Sequence, residues 1–115
     1  MQSDIIQIII ETLDEHKAIN IQSSDVTKLT DITDTIIICT ATSNRHARTL
    51  ADKILEACKK QGTRHESVEG ADEGQWILVD FSDCIVHIMT ETTREFYNLE
   101  KLWVMTESKR QEHTH

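Results

Sequence analysis

Two pairs of aspartates at D-x-x-D spacing are the side chains best suited to metal-dependent chemistry. Asp31 and Asp34 precede the apolar run TIIICTAT, and Asp80 and Asp83 lie between two other apolar runs. Carboxylates gathered at strand ends can hold a divalent cation for phosphoryl or nucleotidyl transfer. Aspartate is also favoured in turns and caps. We prefer this simpler explanation, because neither a Gly-Ser nucleotide loop nor a D-x-D on a strand accompanies the pairs.

Histidine and cysteine offer a second chemistry. His46 or His87 could activate a cysteine for nucleophilic catalysis. Alternation along IVHIM instead places His87 on one face with Ile85 and Met89, which predicts a buried, hydrogen-bonded structural histidine. The odd number of cysteines and the lack of C-x-x-C spacing favour reduced thiols. We therefore predict no catalytic residue, no metal and no cofactor. The cysteines are Cys39, Cys58 and Cys84.

The stretch TATSNRH, residues 40–46, is a possible anion site. Backbone amides at the start of a helix can bind an anion. The stretch contains no glycine, however, so close approach of a phosphate to the backbone is less easy. An ordinary strand-to-helix connection capped by Ser43 is the preferred interpretation.

The acidic balance of the chain limits its partners. There are 12 Lys and Arg residues against 20 Asp and Glu, a formal charge of −8. Such a surface repels phosphate backbones and attracts basic proteins, so we expect little direct nucleic-acid contact.

The 115 residues predict one domain, and 38% apolar with 28% charged residues is typical of a soluble globular protein. The start MQSDIIQIII has an acid before its apolar run, which predicts neither a signal peptide nor a membrane span; we expect a cytoplasmic protein without a membrane partner.

Hydrophobic periodicity predicts elements in the order α-β-β-α-β-β-β-α. A first helix follows Ser3, its predicted N-cap, and a polar strand from Ile19 to about Val26 is predicted to lie at a sheet edge or to be half-exposed. Residues 35–42 predict a strand buried on both faces, and the next helix is predicted to stop at Gly62. The pattern is that of a single α/β (α+β) domain: a mixed sheet of about five strands with helices packed on it.

The second half of the chain predicts a hairpin and a last helix. After a short strand around residues 65–69, QWILVD and CIVHIMT are joined by the tight turn FSD, in which Ser82 is expected to take a positive φ. Thr92 to Glu95 has the form of a capping box that starts a helix through FYNLEKLW. Residues 1–105 are predicted to form the domain, and residues 106–115 a polar, disordered tail.

This last helix concentrates the aromatic residues of the chain. Phe96, Leu99 and Trp103 align at i, i+3 and i+7 as a core stripe, whereas Tyr97 and Lys101 fall on a different face. Aromatic residues are enriched at the centres of interfaces. The segment could serve core packing or a partner surface, and we expect it to do both. Phe96 and Leu99 are predicted to anchor the helix on the sheet, and the partner side is predicted to consist of Tyr97, Lys101 and Leu102, with Trp103 at the edge of both.

Two long stretches resemble the ribosomal silencing factor (Iojap-like) family. They are TDITDTIIICTATSNRH and VEGADEGQWILVDFSDCIVHIMTETTREFYNLEKLW, and the resemblance runs from about residue 4 to Trp103. The order of CT-x-TS-x-RH, the tryptophan-to-VH hairpin and R-x-h-Y-x-LE-x-LW (h, apolar) is specific. Ala41 and Ser82 stand where the family often has glycine, and QSS in the first strand is more polar than usual, which puts local turn and edge geometry in question.

The resemblance implies a function in translation. Members bind the large ribosomal subunit through its protein fourteen, a basic protein on the intersubunit face, and so block joining of the small subunit. This represses translation under nutrient limitation. The fold implied is like that of nucleotidyltransferase domains, but the catalytic motif is missing, so no enzymatic activity is implied. Relatives often crystallise as homodimers, which makes a second copy of the chain a further candidate partner.

Charge, aromatic content and resemblance together predict one partner surface. Other residues that match family positions are His46, Asp83, His87 and Arg94, and we assign Asp83 and His87 structural roles. Two rival hypotheses remain: a homodimeric adaptor without ribosome contact, and a metal-dependent nucleotidyl or phosphoryl transferase. The transferase would use Asp31, Asp34, Asp80 and Asp83. The predicted partner-binding residues are Trp76, Asp80, Tyr97, Glu100, Lys101, Leu102 and Trp103.

Overall fold

The computed structural model describes residues 2–28, 33–65 and 67–96. Over these residues the elements follow the predicted order. The first helix already includes Ser3, so the prediction that Ser3 is its N-cap is wrong. The elements are α1 (Gln2–Glu15), β1 (Ile19–Asp25), β2 (Thr35–Ala41), α2 (Asn44–Lys60), β3 (Ser67–Glu69), β4 (Trp76–Asp80), β5 (Cys84–Thr90) and α3 (Glu91–Phe96).

The five strands form one mixed sheet in the order β1-β2-β5-β4-β3. β2 and β5 run parallel, and the other neighbouring pairs are antiparallel. The polar strand β1 lies at an edge, as predicted, while every residue of the apolar β2 is buried. These observations confirm a single α+β domain with a five-stranded mixed sheet. Among the described residues, no helix has both the length and the apolar character required to cross a bilayer.

Helix α2 begins and ends with the predicted signals. The Ser43 hydroxyl accepts the His46 backbone N–H at 3.0 Å, which satisfies a donor of the first turn. At the other end, the N–H of Gly62 donates to the Lys59 carbonyl and that of Thr63 to the Cys58 carbonyl. This is a Schellman motif, and Gly62 supplies the positive φ of 82° that it requires.

The main core lies between the helices and one side of the sheet, called here the first face. It carries Ile37 and Cys39 of β2 and Val86 and Ile88 of β5. The apolar stripe of α2 and two residues of α1 complete this core, because burying one face is what makes an amphipathic helix stable in a small domain. The helix residues are Ile9, Leu13, Ala47, Leu50, Ala51, Ile54 and Cys58.

The opposite side, called here the second face, has a smaller apolar cluster. Ile36 and Ile38 of β2 and Met89 of β5 are buried there together with Val26, and Trp76 packs against them from β4. Because side chains alternate along a strand, His87 and Asp80 also lie on this face. α3 packs against β5 and β2.

The β4–β5 hairpin is confirmed, and its turn is strained at Ser82. The Asp83 N–H donates to the Phe81 carbonyl at 3.0 Å, which closes a three-residue γ-turn around Ser82. Ser82 has a φ of 74°, so the predicted positive φ is confirmed. Its N–H donates to Oδ1 of Asp80 at 2.7 Å, which holds the turn against the end of β4.

Ser82→Gly should raise the free energy of unfolding by up to ~1 kcal/mol, because glycine takes positive φ without the steric cost of a Cβ. Urea denaturation of the parent and the variant measures the difference. Ser23→Gly is the matched control: Ser23 is exposed in the extended strand β1, where glycine should destabilise. Loss of stability in both variants would mean that relief of the γ-turn is not what governs position 82.

The start of α3 corrects one prediction. The helix begins at Glu91, directly after the last residue of β5, so Thr92 lies inside its first turn and is not its N-cap. The hydroxyls of Thr90 and Thr93 are hydrogen-bonded at 3.1 Å across this junction. The capping-box pattern at residues 92–95 gave the wrong start for α3. Thr90, the last residue of β5, is a second threonine that can begin the same helix.

Candidate partner-binding surface

Trp76 is the predicted partner-binding residue that the structure describes most completely. It opens β4, pairs with Met89 of β5, and is half-buried on the second face. The backbone around it is closely fixed. The Thr90 N–H donates to the Gln75 carbonyl at 3.0 Å, and an added Cβ on Gly70 would lie 2.1 Å from the Trp76 carbonyl oxygen. The indole therefore stands on a backbone with little freedom to shift.

Asp80 occupies the other end of the same strand and the same face. It lies four residues from Trp76, about 13 Å along an extended strand. Its side chain is only 7% exposed, and its carboxylate accepts the Ser82 N–H. The geometry gives this carboxylate a role in shaping the turn.

The other five predicted partner-binding residues lie outside the described residues. They follow α3 in the chain, directly after Phe96, so their predicted role stays a prediction. They are Tyr97, Glu100, Lys101, Leu102 and Trp103.

Arg94 ties α3 to the sheet. Its Nη1 donates to the backbone carbonyl of Asn20 and, at 2.8 Å, to the hydroxyl of Thr40. Partial burial lowers the pKa of the guanidinium, although arginine stays charged at neutral pH. This clamp fixes the orientation of the helix that leads into the segment from Tyr97 onward.

His46 fastens the start of α2 to the end of α1. The Thr42 backbone N–H donates to its Nδ1 at 2.9 Å, so this nitrogen is the acceptor. Nε2 then carries the proton and donates to the His16 carbonyl at 2.9 Å. Both ring nitrogens are engaged by backbone groups, which gives His46 a structural role.

His87 is confirmed as a buried, hydrogen-bonded histidine. It is 0% exposed, and its Nδ1 accepts the indole N–H of Trp76 at 2.9 Å. The two rings are 5.8 Å apart and tilted by 40°. Both residues were expected on these strands, but the bond between them was not predicted. The alternation on each strand and the short FSD turn together place residues 76 and 87 diagonally on one face, which is the signal that could have found it.

The thiols have the wrong electrostatics for a nucleophile. All three cysteines are free and buried, and burial raises the pKa of Cys39 to about 12 and that of Cys58 to about 11. Burial also raises the pKa of Cys84 to about 12, with smaller contributions from Cys58, Asp80 and Asp83. A nucleophilic cysteine needs a lowered pKa, so these residues act as small apolar side chains.

These pKa values predict slow thiol modification. A thiol shifted from 9.0 to between about 11 and 12 has roughly 100- to 1000-fold less thiolate at pH 8. Labelling of the native chain by a disulfide reagent at pH 8 should therefore be at least ~100-fold slower than labelling in denaturant, which should titrate three thiols. Rapid modification of one thiol in the native chain would contradict this assignment.

The described aspartates of the two pairs, Asp34, Asp80 and Asp83, lie at turns and strand ends. The carbonyl of Asp83 accepts the N–H groups of Asp34 and Thr35, which joins the hairpin turn to the start of β2. Asp31 lies outside the described residues. Within residues 2–28, 33–65 and 67–96, no group of three or more His, Cys, Asp or Glu side chains is arranged to hold a metal ion. The turn and cap interpretation of the described aspartates accounts for their positions.

Comparison with known proteins converges on one family. The model of the family described as "Ribosomal silencing factor during starvation" matches residues 2–115. The ribosomal silencing factor RsfS of Haemophilus influenzae is 43% identical over 99 residues, which is 86% of this chain and 97% of that protein. The RsfS protein of Bacillus subtilis is 32% identical over 102 residues, covering 89% of this chain and 86% of that protein.

A solved structure shares the fold. The crystal structure of a Chromobacterium violaceum protein superposes with a TM-score of 0.83 at 35% sequence identity. The match covers 88% of this chain and 84% of that one. The sequence matches and the structural match therefore cover nearly the same share of this chain.

Proposed function

Because this chain belongs to the ribosomal silencing factor family, we propose that it binds the large ribosomal subunit and sterically blocks joining of the small subunit. Its direct partner in this proposal is the large-subunit ribosomal protein fourteen. The observation that carries the proposal is Trp76, a half-buried tryptophan on the sheet face of an acidic chain. The consequence is repression of translation under nutrient limitation, in the cytoplasm.

The proposed contact surface includes Trp76 and Asp80 on the second face and residues of the sequence segment that follows α3. Trp76 supplies a large apolar contact with a fixed backbone, which keeps the entropy cost of binding low. Tyr97, Leu102 and Trp103 add apolar and aromatic area, and Glu100 and Lys101 add charges. Asp80 contributes its charge and the shape of the turn, since its carboxylate is engaged with Ser82.

Electrostatic attraction supports the choice of a basic protein as partner. The net charge of −8 opposes contact with ribosomal RNA and favours encounter with a basic surface. Complementary charge mainly raises the association rate, while the aromatic contacts slow dissociation. The proposed complex is therefore charge-steered and apolar at its centre.

Cosedimentation through sucrose gradients tests the proposal. The protein should travel with purified large subunits and stay near the top with small subunits, which are the matched control particle. Raising the salt from about 0.05 to about 0.5 M should weaken the association, because salt screens exposed charges. Equal association with both subunits would contradict the proposal, and an affinity independent of salt would point to a purely apolar interface.

A further inference from the structure

The orientation of the Trp76 indole is set by a buried acceptor. Trp76 pairs with Met89 and Leu78 with His87, so residues 76 and 87 are diagonal neighbours across two antiparallel strands. At this spacing long side chains on one face reach each other. The indole N–H meets Nδ1 of His87 at 2.9 Å, a well-formed hydrogen bond.

This bond also fixes the protonation of the histidine. The indole nitrogen of tryptophan only donates, so Nδ1 of His87 must be the unprotonated acceptor. The neutral imidazole then carries its proton on Nε2. His87 is 0% exposed and sits in the middle of β5, so the acceptor has no room to follow a moving indole.

We propose that His87 is a positioning residue for the partner surface: its buried imidazole locks the half-buried Trp76 indole in the orientation that the partner contacts. The effect on binding rests on the proposed function, whereas the effect on the indole does not. The alternative is that the bond only satisfies a buried imidazole and contributes to folding alone.

The expected loss of affinity follows from the conformational freedom of the Trp76 side chain, which binding would remove if the indole were not already held. Immobilising one side chain at an interface weakens binding by a modest factor, and a locked indole avoids this loss. Removing the acceptor should therefore weaken binding roughly three- to tenfold. Complete loss of binding is not expected, since the indole itself remains.

Nuclear magnetic resonance of the indole N–H tests, without any partner, whether His87 holds the Trp76 indole. The Trp76 signal, identified by its disappearance in Trp76→Phe, should exchange with water much more slowly than a free indole. His87→Leu should move this signal and speed its exchange. Exchange in the parent chain at the rate of a free indole would overturn the proposal, even if His87→Leu does not fold.

Binding to protein fourteen, measured by titration calorimetry, tests whether holding the indole raises the affinity for the partner. His87→Leu should weaken binding roughly three- to tenfold in the parent chain, but less than about twofold when Trp76 is already alanine. Equal losses in both backgrounds, or unchanged affinity in folded His87→Leu, would overturn the proposal. Failure of the parent chain itself to bind, with the indole behaving as expected, would refute the proposed function and leave the lock on the indole standing.

Discussion

Gly70→Ala is expected to lower the free energy of unfolding by ~2–4 kcal/mol, a large part of the stability of a marginally stable domain. Gly70 has a φ of 82°, where an L side chain is strained, and its added Cβ would lie 2.1 Å from the Trp76 carbonyl oxygen. That oxygen belongs to the backbone of β4, so it can give way only if the strand moves. Urea denaturation followed by circular dichroism measures the loss.

Gly62→Ala is the matched control, because it separates backbone strain from the steric contact. Gly62 has the same φ of 82°, but an added Cβ would meet nothing within 4 Å. Its substitution should cost only ~1–2 kcal/mol, the strain of the left-handed conformation alone. Equal losses of stability at both positions would show that a Cβ at residue 70 does not collide with β4. The loop from Gly70 to Gly74 would then leave Trp76 free to shift.

Trp76→Ala is expected to weaken binding to the large-subunit protein fourteen by ~2 kcal/mol, near thirtyfold, as an interface hot spot. The variant should also lose some stability, since Trp76 packs against the cluster of Val26, Ile36, Ile38 and Met89. Titration calorimetry should therefore be run at a temperature where denaturant melts show both chains to be folded.

Leu55→Ala gives the comparison for this binding experiment. Leu55 is also a half-buried apolar residue, but it lies on α2 and packs against the core of the first face. Its truncation should lower stability and leave affinity within about twofold, because the effects of distant sites are independent. Parallel losses of affinity in the two variants would mean that binding follows overall stability, and that Trp76 is not at the interface.

Short-range sequence patterns were sufficient to predict several elements of this fold. The FSD hairpin, the buried β2, the polar edge strand and both ends of α2 follow from alternation, β-rich runs and cap residues within a few positions. The start of α3 could not be placed, since several threonines near residue 92 suit the same role. Local sequence specifies which elements form more securely than where each one begins.

The long-range contacts that hold the elements together were not predictable from spacing. Arg94 reaches Asn20, 74 residues away, and His46 reaches the carbonyl of His16, 30 residues away. Such contacts depend on how the elements pack, which no local pattern encodes. Trp76 was found from its residue type and the family resemblance, and its hydrogen bond to His87 follows once the register of the two hairpin strands is known. The roles of Tyr97, Glu100, Lys101, Leu102 and Trp103 stay predictions.

Ribosomal subunit joining, followed by light scattering, tests the proposed block of joining directly. The protein is added in excess to purified large subunits before small subunits are mixed in. The proposed function predicts a lower joined fraction than without the protein, and recovery towards normal joining when Trp76→Ala replaces the parent chain. Joining at the same rate and to the same extent with and without the parent protein would contradict it.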